Sequence, residues 1–216
     1  MYQSGNSKAF LVAGELIAFL AAAVLLTISP GPDIIYVLVQ GITNGKKHGI
    51  VTALGLVSGI IVHTSLVAFG ISAIINQSEM LFLMIKILGA GYLFYLAWQV
   101  YKSDPAIHFE NTATEQKREL SSLYKKGFLM NVLNPKVVIF FLAFFPGFLW
   151  EPEGNTVYQF YILGFLFMIQ AFLIFSAVAI LAGKISVYLQ KHPASGLIFK
   201  WVQVAVFVGI GIFILV

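Results

Sequence analysis

The sequence predicts an all-α membrane protein of six transmembrane helices, built as two inverted-topology three-helix repeats in which helices 1 and 4 are broken. Three observations predict it. The 216 residues are 59% hydrophobic and 10% charged, far more apolar surface than a water-soluble core of this size can hide. Several stretches exceed about 18 residues with few or no charges, enough to cross a hydrocarbon layer roughly 30 Å thick. Finally, one long polar segment divides the chain into three apolar runs and three more, and an odd number per half requires that any structural repeat be inverted.

The runs place spans at 10–40, 49–75, 80–101, 127–149, 157–182 and 197–216. The organisation is therefore a first repeat over 1–101, a linker over 102–126 and a second repeat over 127–216. The linker's mixture of Ser, Thr, Glu and Lys suits a connection between halves rather than a domain. Span 1 begins after Lys8 like a secretory leader, but it continues through Pro30 and Pro32 into Ile34–Gln40, so it is read as a retained span.

The strongest local signal is Ser29-Pro30-Gly31-Pro32-Asp33 in span 1. Pro30 and Pro32 cannot donate to the carbonyls of Leu26 and Ile28, and Gly31 loosens the backbone between them, so the helix kinks or unwinds here. Span 4 repeats the device at Asn134-Pro135-Lys136, where Pro135 frees the carbonyl of Asn131. Within a bilayer such groups must be buried in protein or line a wet cavity.

The breaks also align as a repeat. Ser29-Pro30 matches Asn134-Pro135 at an offset of 105, His63 of span 2 matches Gln170 of span 5 at 107, and Lys86 of span 3 matches Lys200 of span 6 at 114. Depth adds to this, because Asp33 and Lys136 both fall roughly 15–18 Å from the same membrane face at 1.5 Å per residue. A charge there costs about 2.5–3.5 kcal/mol on insertion scales. Opposite charges at matched depth are thus expected to face inward and to meet each other or a polar ligand. The bland alternatives are a packing kink and a static ion pair.

Other polar residues carry less weight. Ser29, Asp33, Tyr36 and Gln40 share one helical face if the helix re-forms after Pro32. Gly55, Gly59 and His63 form a stripe on span 2, where the glycines permit close helix approach within or between chains, so a homo-oligomer is compatible with the sequence. His63 reads either as a hydrogen-bonded core histidine or as a proton relay, with Asp33 the other proton-coupling candidate. Lys86 reads as snorkelling to the interface or as part of a cavity. The many Phe, Tyr and Trp residues are expected to be lipid-facing and interfacial.

Charge sets the topology. Of 13 basic residues, 10 fall on one side, in the 1–2, 3–4 and 5–6 connections, including Lys46, Lys117, Arg118, Lys184 and Lys191. Those connections are expected in the cytoplasm, with both termini outside. Clustering at span ends rather than on one face argues against nucleic acid, although the net charge is +4. The absence of cysteine excludes thiol relays, iron–sulfur clusters and thiolate-bound metals. Of four histidines, His48, His108 and His192 fall in loops, leaving no pair for haem. No cofactor or metal is expected. The spans also lack a nucleophile or metal constellation, which argues against an intramembrane enzyme.

These motifs resemble the LysE/RhtB family of bacterial amino-acid exporters. The resemblance rests on Ser29-Pro30-Gly31-Pro32-Asp33, the glycine-rich second span from Gly49, Gly89-Ala90-Gly91-Tyr92-Leu93 in span 3, and Gly127-Phe128 leading to Asn134-Pro135-Lys136. It covers nearly the whole chain, in order. It implies a small permease of the bacterial inner membrane that expels amino acids or their derivatives in exchange for protons. The expected site joins Ser29, Pro30, Gly31, Pro32 and Asp33 with Asn131, Asn134, Pro135 and Lys136. The substrate carboxylate would meet Lys136, its ammonium would meet Asp33, and in the empty site Asp33 would close on Lys136. The competing reading is a channel or an accessory membrane subunit without carrier activity.

Overall fold

The computed structural model describes residues 2–71, 78–104, 119–192 and 194–215. Helix α1 (Tyr2–Ile28) and α2 (Pro32–Thr43) form span 1, bent by 58° between Ile28 and Pro32. Helix α3 (Lys46–Leu66), extended by a π-helical turn over Val67–Ile71, is span 2. Span 3 is α4 (Glu79–Lys102). Span 4 comprises α5 (Leu120–Val132) and α6 (Pro135–Ile139), the latter running on through a π-helical turn, Phe140–Phe144, into a 3₁₀ turn, Phe145–Phe148. Spans 5 and 6 are α7 (Thr156–Lys191) and α8 (Ser195–Leu215). Among the described residues, four helices are long and apolar enough to cross a bilayer alone, and the two bent pairs, each taken as one span, bring the total to six.

Local chemistry starts several of these helices. Ser78 accepts the Leu81 N–H at 3.2 Å, and Asn155 accepts the Tyr158 N–H at 3.0 Å, each satisfying a donor that a helix start leaves without a partner. Gly45, at φ 89°, supplies the left-handed residue that turns span 1 tightly into span 2. Span 4 starts at Leu120 rather than 127, because Leu123 and Gly127 are already buried as helical residues. Span 5 runs to Lys191 rather than 182, its last buried residues being Ser186 and Leu189. His108, Lys117 and Arg118 lie outside the described residues.

Packing pairs the halves crosswise. Span 2 lies most extensively against α5 of span 4, span 5 lies against both parts of span 1, spans 2 and 5 touch each other, and span 3 pairs with span 6. The expected glycine stripe on span 2 faces α5 of the same chain. A Cβ at Gly55 would fall 2.1 Å from the Tyr124 carbonyl oxygen, and one at Gly59 would fall 2.7 Å from Asn131 Oδ1. With little hydrophobic drive between helices in lipid, this close approach maximises van der Waals contact.

The aromatic residues divide: Phe69, Trp98, Phe165, Tyr188 and Trp201 are exposed on the outside of the bundle as expected, but the expectation is corrected for span 4. Phe140, Phe141, Phe144, Phe145 and Phe148 are all 3% exposed or less, and they pack with Phe19 of span 1 and Phe160 and Phe167 of span 5. The Phe145 and Phe160 rings stack at 5.8 Å. The change of pitch through a wide π-helical turn and a tight 3₁₀ turn brings successive phenylalanines of span 4 onto the protein side, so they form core and not a lipid-facing belt.

Candidate functional site

The two breaks touch. Asn134 caps α6 by accepting the Lys136 N–H on Oδ1 at 3.0 Å, and the same amide donates from Nδ2 to Asp33 Oδ2 at 2.8 Å. The amide orientation is fixed by chemistry, because a backbone N–H needs the oxygen and a carboxylate needs the nitrogen. In return, Lys136 Nζ donates to the Ser29 carbonyl at 3.0 Å. Each break is therefore held by a neutral group of the other.

The expected direct pair of Asp33 with Lys136 is not made. Asp33 Oδ2 is taken by Asn134, the Asn131 side chain also acts on the carboxylate, and the ammonium is turned to Ser29. The two charges still interact through space. Proline chemistry accounts for the arrangement, since the non-helical linkage at Ser29 offers the ammonium a carbonyl and the cap at Asn134 offers the carboxylate an N–H.

Two further contacts brace the breaks from the flanking spans. Pro135 cannot donate to the Asn131 carbonyl; that oxygen receives the Asn134 N–H at 3.0 Å and contacts His63 Nε2 at 3.1 Å. A carbonyl only accepts, so the His63 proton belongs on Nε2. In the other half, Gln170 Nε2 donates to Thr27 Oγ1 at 3.0 Å, just before the span 1 break. His63 of span 2 thus bonds to the broken span 4, and Gln170 of span 5 to the broken span 1.

A cavity of about 290 Å³ opens against the joined breaks. Gly31, Pro32, Asn134, Pro135 and Lys136 line it, and spans 3 and 6 complete it with Leu96, Gln99, Val100, Ser103, Gln203 and Phe207. It adjoins a larger vestibule of about 870 Å³, with which it shares Val100, Ser103 and Gln203. Pro30, Ile34, Leu38, Leu181 and Phe199 contribute to the vestibule's apolar wall, while Asp104, Lys184 and Lys200 are its charged groups. Both cavities lie toward the end of the molecule where spans 3 and 5 finish and span 6 begins. The phenylalanine cluster fills the opposite end.

The expected site residues thus divide. Gly31, Pro32, Asn134, Pro135 and Lys136 face the smaller cavity and Pro30 the vestibule, whereas Ser29, Asp33, Asn131 and His63 are buried behind and line neither. Sequence reasoning missed Gln99 and Gln203. A signal for them exists: their offset of 104 continues the series 105 and 107 better than the 114 of Lys86 and Lys200. Lys200 instead donates to the Ser103 carbonyl at 2.8 Å, tying the start of span 6 to the end of span 3.

Comparison with known proteins adds to this geometry. A family profile described as LysE type translocator matches residues 24–216. A homoserine/homoserine lactone efflux protein of Salmonella typhimurium is 30% identical over 173 residues, covering 80% of this chain and 82% of the relative. A leucine efflux protein of an Enterobacter species is 33% identical over 164 residues, covering 73% and 77%. An uncharacterized membrane protein of Vibrio cholerae is 33% identical over 178 residues, covering 81% and 84%. No solved structure matches.

Proposed function

We propose, from the premise that this chain belongs to the LysE type translocator family, that it is a secondary transporter exporting amino acids or their derivatives across the bacterial inner membrane by proton antiport. The relatives named for leucine efflux and for homoserine efflux support the cargo class. The observation that carries the reading is the cavity against two interlocked helix breaks, with the Lys136 side chain on its wall. Half-helices meeting inside the bilayer expose backbone polar groups only where a cavity uses them.

In this reading the substrate carboxylate meets Lys136, and residues 1–101 and 127–216 are inverted halves that rock about the joined breaks. The vestibule at the basic end opens to the cytoplasm, and the phenylalanine cluster closes the outer side. Asp33 carries the coupled proton. As a carboxylate it holds Asn134 by a charge-assisted bond, and protonation weakens that bond and loosens the joint between the halves. His63 is the weaker candidate, because its Nε2 proton serves the Asn131 carbonyl.

The test is efflux of labelled leucine or homoserine from proteoliposomes containing the purified protein, with and without an imposed proton gradient. Wild-type efflux should accelerate with the gradient and show saturable counterflow, which a channel lacks and an accessory subunit cannot provide alone. Lys136→Ala should abolish transport, and Asp33→Asn should abolish the gradient's effect, with both variants still inserted. Normal gradient-driven efflux by both would refute the site.

A further inference from the structure

We propose, resting on the exporter reading above, that the cavity selects α-amino acids with a free carboxylate and an uncharged side chain, and that Gln99 and Gln203 are its specificity-determining residues. Lys136 is the only charged side chain among the described residues that line the smaller cavity. Its ammonium has three donors, and the Ser29 carbonyl takes one. The remainder are available to a carboxylate, the ligand group best suited to a partly buried cation.

The carboxylate of the protein itself is turned away, since Asp33 is bonded to Asn134 behind the wall. Within the smaller cavity a lysine- or arginine-like substrate would bring a second cation to Lys136 with no acid on the wall to meet it, and an acidic side chain would find no second cation there, the nearest other charges being those of the vestibule, Asp104, Lys184 and Lys200. The α-ammonium of a neutral amino acid is different, because its own carboxylate is covalently adjacent and compensates its charge. It then needs acceptors rather than a counter-ion, and the amide oxygens of Gln99 and Gln203 are of that kind. Gln99 pairs with the Tyr95 hydroxyl, a group that both donates and accepts, so the amide can turn its oxygen to the cavity.

Apart from Ser103 and Asn134, the remaining side chains of the wall are apolar, and Leu96, Val100 and Phe207 supply its largest surfaces. A volume of about 290 Å³ falls just below the roughly 300–1,000 Å³ usual for ligand pockets, which suits one amino acid and not a peptide. An aliphatic or hydroxylated side chain fits this wall.

Counterflow into proteoliposomes tests the proposal. Labelled leucine would be presented outside vesicles preloaded with leucine, homoserine, homoserine lactone, lysine or glutamate. Leucine and homoserine should drive accumulation at least about tenfold better than the other three. Gln203→Glu, which supplies the missing acid, should raise lysine counterflow about tenfold while leucine counterflow falls. If lysine equals leucine in the wild type, neutrality is not selected; if the lactone equals homoserine, the carboxylate is not read; either overturns the proposal and leaves export standing. An inserted, exchanging Gln203→Glu with unchanged preference would overturn the role of Gln203. Should that variant fail to fold, the wild-type panel alone decides. Failure of every amino acid to exchange would overturn both this selectivity and the exporter reading.

Discussion

Asp33 and Asn134, 101 residues apart in sequence, are joined by a 2.8 Å hydrogen bond that fastens the broken helix of one half to the broken helix of the other. The same Asn134 side chain caps the helix that carries Lys136, so the state of the carboxylate and the position of the ammonium are linked through one amide. This relationship couples the two breaks through a single side chain.

Replacing Asn134 by Ala should therefore be costly. It strips a buried carboxylate of a donor and removes a helix cap, and hydrogen bonds to charged groups contribute about 1.5–3 kcal/mol. The expected outcome is a clear fall in the thermal unfolding midpoint in detergent, with transport lost. Asn134→Asp should be worse, because it sets two acids face to face. Unchanged stability in both variants would remove Asn134 from the centre of the joint.

The two proton-carrying candidates can be separated by paired variants. His63→Gln keeps an amide N–H for the Asn131 carbonyl, so it should retain both fold and gradient-stimulated efflux. Asp33→Asn should keep counterflow, which needs no gradient, while losing the stimulation. The opposite pattern would move the coupling role to His63.

Close approach of spans 2 and 4 gives a stability prediction. Gly55→Ala places a Cβ where the Tyr124 carbonyl oxygen stands only 2.1 Å away, backbone that cannot move aside cheaply. Overpacking of this kind costs about 1–3 kcal/mol. Gly183, whose added Cβ would meet nothing within 4 Å, provides the control, and Gly183→Ala should leave the unfolding midpoint unchanged or slightly raised. Equal effects at the two positions would contradict the helix contact described here.

Accessibility distinguishes the two ends of the molecule. Because the chain contains no cysteine, single replacements report without background. Gln203→Cys and Lys184→Cys should react with a membrane-impermeant thiol reagent added from the cytoplasmic side. Phe160→Cys, at the closed phenylalanine cluster, should resist the reagent from either side until transport is driven. Labelling of the Gln203 variant from the outer side alone would reverse the proposed orientation.

The order of apolar runs, the two proline breaks and the pair of charges that no lipid-exposed helix would carry were determined by the sequence by itself, because each follows from composition or from a missing N–H along one stretch of chain. Partner choice required the tertiary structure. Whether Asp33 meets Lys136 or Asn134 depends on the rotation and tilt of α2 against α6, set by 58° and 48° bends and by glycine contacts between helices distant in sequence. Gln99 and Gln203 lie near span ends, where polar residues are ordinary, and only the pairing of spans 3 and 6 around the breaks turns them into a cavity wall. Helical periodicity ranks the faces of one helix; which face a neighbour covers is decided by packing among all six spans.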